Sequence, residues 1–274
     1  MFTFTKEKLD LIKKLSPSLR SKALAKLGQI EFEKCASDPV YWLDSRQHAV
    51  PYVYTLDPKP LCVCLVCGPE YQDITHTLKK RQDHLLKRHM RTVKDKTELD
   101  KYFYTLPTVR PFTVKPYMPP IVEAWLDTNL FAIEKSRDMM ATWLMVALAT
   151  WDCFFHEGKQ HIFQSEDAFK TLELVKRADF IINHQPSWLR DINPGKIVAG
   201  GNRSGILNLP RLNSEILGFP QGPDQIRQFH PSGVFQDEAA FQDQAAAAFQ
   251  AIKPAIQEGG KFYAISSANP GWFE

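Results

Sequence analysis

The sequence predicts an α/β fold built on a mostly parallel sheet with flanking helices on both faces. Three observations lead there. From residue 121 onward, short apolar runs alternate with helix-period segments. Three of the apolar runs end in polar or small-residue clusters, as strands do where a parallel sheet gathers its active groups. And 274 residues with 44% hydrophobic and 24% charged content suffice for a sizeable core and exclude wholesale disorder.

The elements follow in order. Residues 5–34 carry Leu9, Ile12 and Leu15 at helix spacing, with Pro17 as punctuation. Residues 35–60 are Pro-dotted and aromatic and read as a packed arm; the first 60 residues are taken as one N-terminal helical and aromatic region. Residues 61–104 form a Cys/His/basic segment. Residues 105–274 form the core, opening on an extended connector with five prolines between 107 and 120. A helix over 121–127 precedes a buried strand at 130–133. An apolar helix then runs to Phe155, and a strand occupies 160–164. Ser165 is the expected N-cap of the next helix, whose Ala168, Leu172, Val175 and Ile182 share one face. Short strands are expected near 196–199, 205–209, 215–219 and 233–236. An Ala-rich helix over 239–257 and a strand at 262–265 complete the pattern.

Charge and cysteine are unevenly placed. The net charge of +3 conceals a segment, 79–101, with nine Lys/Arg and four Asp/Glu; the rest of the chain is net −2. Cys62, Cys64 and Cys67 cluster, while Cys35 and Cys153 are isolated. An odd cysteine count in a chain of this size argues against a secreted disulfide framework and for a metal. The N-terminus shows no signal-peptide core, and the longest apolar run, 139–151, is too short for a membrane span of roughly 20 residues. A soluble intracellular protein with no membrane partner is expected.

Three strand ends carry the chemistry. The first runs from Glu134 through Lys135, Ser136, Arg137 and Met140 to Thr142 at a helix start. This is the layout of a phosphate-binding (Walker A) loop, where backbone N–H groups and the helix dipole face an anion. It is not the standard GxxxxGK[ST] string: Met140 and Ala141 stand where Gly and Lys are usual. Lys135 supplies the charge from the loop's start, and Thr142 a hydroxyl for Mg²⁺. The second cluster, Asp237-Glu238 after an apolar run, has a Walker B layout, in which one carboxylate serves Mg²⁺ and the other activates water. The third is Ser266-Ser267-Ala268-Asn269. Read blandly, these are a strand–loop–helix junction, a helix-capping acidic pair and a turn.

In their order and spacing the three resemble the large terminase subunit of tailed bacteriophages, the ATPase of the DNA-packaging motor. The resemblance also runs through EFEKCASDPVYWLD, FTVKPYMPPIVEAWL, FQSEDAFKTLELVKRA and LGFPQGPDQIRQ. It implies a P-loop NTPase-like core that binds ATP and Mg²⁺. Lys135, Ser136 and Arg137 would meet the phosphates. Thr142 and Asp237 would serve Mg²⁺, and Glu238 would be the catalytic carboxylate. Ser266, Ser267 and Asn269 would sense the γ-phosphate. Arg227, or Arg203, would be an arginine finger lent to a neighbouring subunit. Implied partners are double-stranded DNA, the small terminase subunit, the portal protein and further copies in a ring, in the bacterial host cytoplasm at the procapsid portal. Two departures stand out. Tyr117 is followed by Met118 where the family often has an adenine-reading Gln beside its Tyr. The sequence also stops at Glu274, just past the third cluster, so no nuclease activity is expected of this chain.

Within the basic segment, Cys64-x2-Cys67 is followed after sixteen residues by His84-x4-His89. Two thiolates and two imidazoles suit tetrahedral Zn²⁺. The inter-pair gap is longer than the usual one of about 12, and Cys62 and His76 are rival ligands. The segment resembles the single ββα-type zinc finger of bacterial Ros/MucR-type regulators. Its expected helix bears Lys79, Lys80, Arg81, Lys87, Arg88 and Arg91, suited to DNA phosphates or to a protein partner. The alternative to an ATPase is a non-catalytic zinc-finger DNA-binding or assembly module with a degenerate nucleotide site. A helicase would need a second motor domain.

Overall fold

The structure, a computed structural model, describes residues 12–56, 61–67, 74–75, 78–105, 107–136, 139–198 and 205–269. The chain divides into two compact units: Met1–Tyr54 with Pro111–Glu274, and Thr55–Arg110 between them in sequence.

Helix α1 (Pro17–Ser37) has proline in its first turn, where a missing N–H costs nothing. Asp38 ends it and caps α2 (Pro39–Leu43), accepting from the Tyr41 N–H at 3.0 Å. Glu31 accepts from the hydroxyls of both Tyr41 and Tyr52, at 2.7 and 2.8 Å. Cys35, Trp42, Leu43, Tyr52 and Val53 are fully buried, so the aromatic arm belongs to the main core. β1 (Tyr54–Leu56) leads out of this unit.

The smaller unit contains β2 (Leu61–Cys64), β3 (Ile74–Thr75), α3 (Leu78–His89), α4 (Lys96–Leu99) and β4 (Phe103–Thr105). Its antiparallel sheet has the order β3-β2-β4. The expected ββα element is present, extended by a short helix and a third strand. Its core is Cys62, Cys64, Leu85, Val93, Leu99 and Phe103. Arg81 lies inside it, paired with Asp100 at 2.6 Å. β5 (Val109–Pro111) pairs with β1.

The chain then forms α5 (Met118–Asp127), β6 (Leu130–Glu134), α6 (Ala141–Phe155), β7 (Gln160–Ser165), α7 (Ala168–His184), α8 (Ser187–Arg190), β8 (Lys196–Val198), β9 (Ile206–Leu209), β10 (Ser214–Pro220), β11 (Gly233–Asp237), α9 (Ala245–Gln257) and β12 (Lys261–Ser266). The seven strands order as β6-β12-β11-β7-β10-β9-β8; the first five run parallel, and β9 and β8 add antiparallel pairings. Side chains alternate along each strand. Phe163, Ile216, Phe235, Tyr263 and Ile265 face the core that holds α6, α7 and the arm. Ile162, Leu217, Val234, Phe262 and Ala264 face the core under α9. α6 is buried nearly all round, as its unbroken apolar sequence requires. Gly218 lets α7 lie close on β10: a Cβ there would stand 2.9 Å from Val175.

Several expectations are corrected. The first helix of the core starts at Met118, because Pro119 and Pro120 fit its first turn rather than an extended connector. Ser165 is not the cap of α7: it is still paired in β7, opposite Pro220, and Asp167 caps instead, accepting from the Lys170 N–H at 2.7 Å. β6 pairs only with β12 among the described residues and is half-exposed, not buried. The segment after Glu238 is a 3₁₀ turn, Ala239–Phe241, and the α-helix begins only at Ala245.

Candidate active site

Strand order builds the site. β12 lies between β6 and β11, with Ser266 opposite Glu134 and Ile265 opposite Asp237. The carboxyl ends of three strands distant in sequence are therefore neighbours, and each ends in one of the polar clusters. Lys135 leaves β6 with its N–H bonded to the Ser266 carbonyl at 2.9 Å. Its ammonium donates to Glu238 Oε1 at 2.6 Å, and the lysine side chain is only 10% exposed. Glu238 Oε2 accepts from the Ser267 N–H at 3.1 Å, the Ser267 hydroxyl at 3.2 Å and the Ser266 hydroxyl at 3.4 Å. Thr142, in the first turn of α6, donates to Asp237 Oδ1 at 2.9 Å.

Two backbone positions are unusual. Met140 (φ 55°) and Glu238 (φ 52°) are left-handed without being glycine, at a cost of roughly 1–2 kcal/mol each. Around Glu238 the turn is braced. Gln242 donates to the Asp237 carbonyl at 2.8 Å, the Ala240 N–H donates to Ser266 Oγ at 3.1 Å, and Asn269 donates to the Ala240 carbonyl at 2.8 Å. Asn269 thus holds the turn that carries Glu238 rather than Glu238 itself.

The two carboxylates are driven apart. Burial raises the Asp237 carboxyl to about 6, more than the Thr142 hydroxyl and the Arg177 charge lower it. Burial also pushes Glu238 up, but the Lys135 ammonium and Ser267 outweigh it and hold Glu238 below its ordinary value. Glu238 is therefore ionised at neutral pH. The folded chain holds the Asp237 proton more tightly than the unfolded chain. That favours folding at acid pH and is lost as pH rises through about 6. Asp237→Asn is thus expected to stabilise the fold by on the order of 2 kcal/mol near pH 8, and by less near pH 5. Denaturant midpoints at the two pH values check this; an equal gain at both would overturn it.

Ser136 is exposed beside Lys135. Arg137 and Arg203 lie outside the described residues. Arg227 is exposed and pairs with Asp224 at 3.3 Å; among the described residues it makes no ion pair with the cluster. Sequence reasoning missed the Lys135–Glu238 pair and a bond from the Tyr117 hydroxyl to the Met139 carbonyl at 2.7 Å. It also missed a cavity of about 470 Å³ at the opposite, amino end of the sheet, lined by Trp125, Trp151, Lys159, His230 and Lys261. Behind it His161 bonds Asp152 at 2.9 Å and Tyr263 at 2.8 Å. That cavity shares no residue with the strand-end cluster.

In the smaller unit, one ligand atom each from Cys64, Cys67, His84 and His89 lies within 4.8 Å of all the others. The cysteines come from the end of β2 and the turn after it, the histidines from α3. Sγ–Nε2 separations are 3.1, 3.3 and 3.5 Å, near the roughly 3.5 Å edge of a tetrahedron with zinc–ligand lengths of about 2.3 and 2.0–2.1 Å. Two soft and two borderline donors fit Zn²⁺. Cys62 lies outside this cluster, and His76 outside the described residues.

No protein-family model matches the chain, and no curated protein matches it in sequence. Among solved structures, its fold is similar to those of phage large terminases. The ATPase domain of a Thermus phage large terminase, as a point mutant, matches at 17% identity and TM-score 0.46, over 59% of this chain and 68% of that one. The bacteriophage HK97 large terminase matches at 17% and 0.47, over 57% of this chain and 34% of its own length. The large terminase of a thermophilic bacteriophage in complex with ATP-γ-S matches at 10% and 0.40, over 55% of this chain and 37% of its own.

Proposed function

We propose that the larger unit is a Mg²⁺-dependent ATP hydrolase of the DNA-packaging terminase type. The observation that carries this is the meeting of Lys135 with Glu238 and of Thr142 with Asp237, pairs separated by 103 and 95 residues, at the carboxyl end of the sheet. Lys135 and the N–H groups at the start of α6 bind the nucleotide phosphates. The Thr142 hydroxyl and the Asp237 carboxylate are hard oxygen donors that would hold Mg²⁺, whose charge would offset that of the phosphates. The Glu238 carboxylate orients a water molecule and takes its proton as the oxygen attacks the γ-phosphorus; the bond to ADP breaks in line. Ser266 and Ser267 hold that carboxylate in place. The sequence resemblance supports placing the reaction in genome packaging. Double-stranded DNA, the small terminase subunit, the portal and a ring of copies are then the partners, in the host cytoplasm, and Arg137 and Arg227 are candidates for completing the charge at the phosphates.

The smaller unit is read as a zinc module. Exposed Lys79, Lys80, Lys87 and Arg88 on α3 suit a duplex phosphate backbone, with affinity falling steeply as salt rises.

Equilibrium titration tests the main reading. The wild-type protein is expected to bind ATP with Mg²⁺, and Lys135→Ala to weaken binding at least roughly tenfold, the loss of one charge-assisted phosphate contact. No ATP binding by folded wild-type protein would overturn it.

A further inference from the structure

We propose that the Tyr117 hydroxyl is the fastener that holds the Met139–Met140 backbone, immediately ahead of α6, in shape, a positioning role that the missing loop glycine makes necessary. The inference rests on the nucleotide-site reading for its effect on ATP, but not for its effect on the loop.

Met140 stands immediately before α6 in a left-handed conformation, φ 55° and ψ 16°. Glycine adopts that conformation freely; a residue with a Cβ does not. The start of α6 has no side-chain cap to stabilise the turn from within. The support comes from outside. Tyr117 donates to the Met139 carbonyl at 2.7 Å across 22 residues of sequence. Tyr117 is itself 36% exposed, but it directly precedes α5, whose Met118, Val122 and Trp125 are buried in the main core, so its backbone is anchored.

The peptide between Met139 and Met140 is planar and trans, so its carbonyl and its N–H point in opposite directions. Holding the carbonyl oxygen of Met139 therefore also fixes the direction of the Met140 N–H, the last donor before the helix. It further commits the carbonyl oxygen to a donor, where an oxygen turned toward a phosphate would repel it. Burial raises the Tyr117 phenol above its ordinary value, so the hydroxyl keeps its proton through the neutral range. The loop thus reaches a glycine-like geometry with methionine, because a tertiary hydrogen bond supplies what the local sequence lacks.

The test uses Tyr117→Phe, which keeps the ring and removes only the hydroxyl, and Tyr117→Phe/Met140→Gly, which frees the backbone. In nucleotide-free protein, Tyr117→Phe is expected to speed hydrogen exchange at Leu144, whose N–H bonds the Met140 carbonyl at 3.0 Å and closes the first turn of α6. With ATP, KM should rise roughly three- to tenfold, the size of one net hydrogen bond, with kcat nearly unchanged. Adding Met140→Gly should recover much of the KM. Unchanged exchange in Tyr117→Phe overturns the proposal. So does a raised KM that Met140→Gly does not relieve and that comes with an altered preference between ATP and GTP, since Tyr117 would then be reading the base. Faster exchange in Tyr117→Phe, together with no ATP binding by the wild type, supports the fastener and sinks the ATPase reading instead.

Discussion

Glu238→Gln is expected to lower ATP turnover by roughly 10²- to 10⁴-fold, the usual share of a positioned general base. Glutamine keeps the shape of the side chain, and its amide oxygen still accepts from Ser267, so the brace around residue 238 survives. It cannot take a proton from water. Binding should move the other way. In the nucleotide-free site Lys135 is nearly buried and bonded to Glu238 at 2.6 Å, so phosphate must draw the lysine away from a carboxylate. Glutamine carries no charge to compete, and KM for ATP is expected to stay level or fall. Phosphate release and equilibrium ATP binding, measured on the same preparation, separate the two effects. Normal turnover would remove Glu238 from the mechanism. Lost binding with proportionally lost turnover would make Lys135–Glu238 a structural pair.

This pairing shows where sequence reading stops. Lys135, Asp237 and Glu238 were each legible, because an apolar run that ends in a charged cluster is a local signal. That Lys135 meets Glu238 was not legible. It depends on β12 lying between β6 and β11, and strand order is a property of the whole sheet. The same limit explains the misplaced cap: Ser165 has the right residue type, but β7 is held out to Ser165 by pairing with β10, and Asp167 takes the role. Met140 shows the converse. Judged by its string, the loop has lost a glycine; in the fold, methionine adopts the glycine-like angle with Tyr117 behind it. Gln164 and Gln236 are fully buried, joined side chain to side chain at 3.2 Å, one step along their strands from the apolar Ile162 and Val234 that share their face. Alternation alone gives no reason to place two amides there.

Loss of zinc is expected to unfold the smaller unit. Among the described residues its core consists of six buried apolar residues, two of which, Cys62 and Cys64, are cysteines. A unit with so small a core is marginal without a metal or cross-links. Zinc binding in finger peptides provides roughly 10–16 kcal/mol of apparent free energy at neutral pH, enough to decide between folded and unfolded. Cys64→Ser/Cys67→Ser, or chelation of the wild type, should therefore remove one zinc per chain and collapse amide protection at Leu85 and Leu99. Binding to duplex DNA should fall with it, because α3 then no longer presents its lysines from a fixed frame. Arg81 adds to the cost of breaking the unit: its side chain is 3% exposed and held by Asp100 at 2.6 Å, and a buried cation parted from its carboxylate is strongly destabilising. Metal analysis and hydrogen exchange on both proteins decide the point. Equal zinc in wild type and mutant would remove the metal site, and full protection at Leu85 without zinc would show that the apolar core and the Arg81–Asp100 pair suffice.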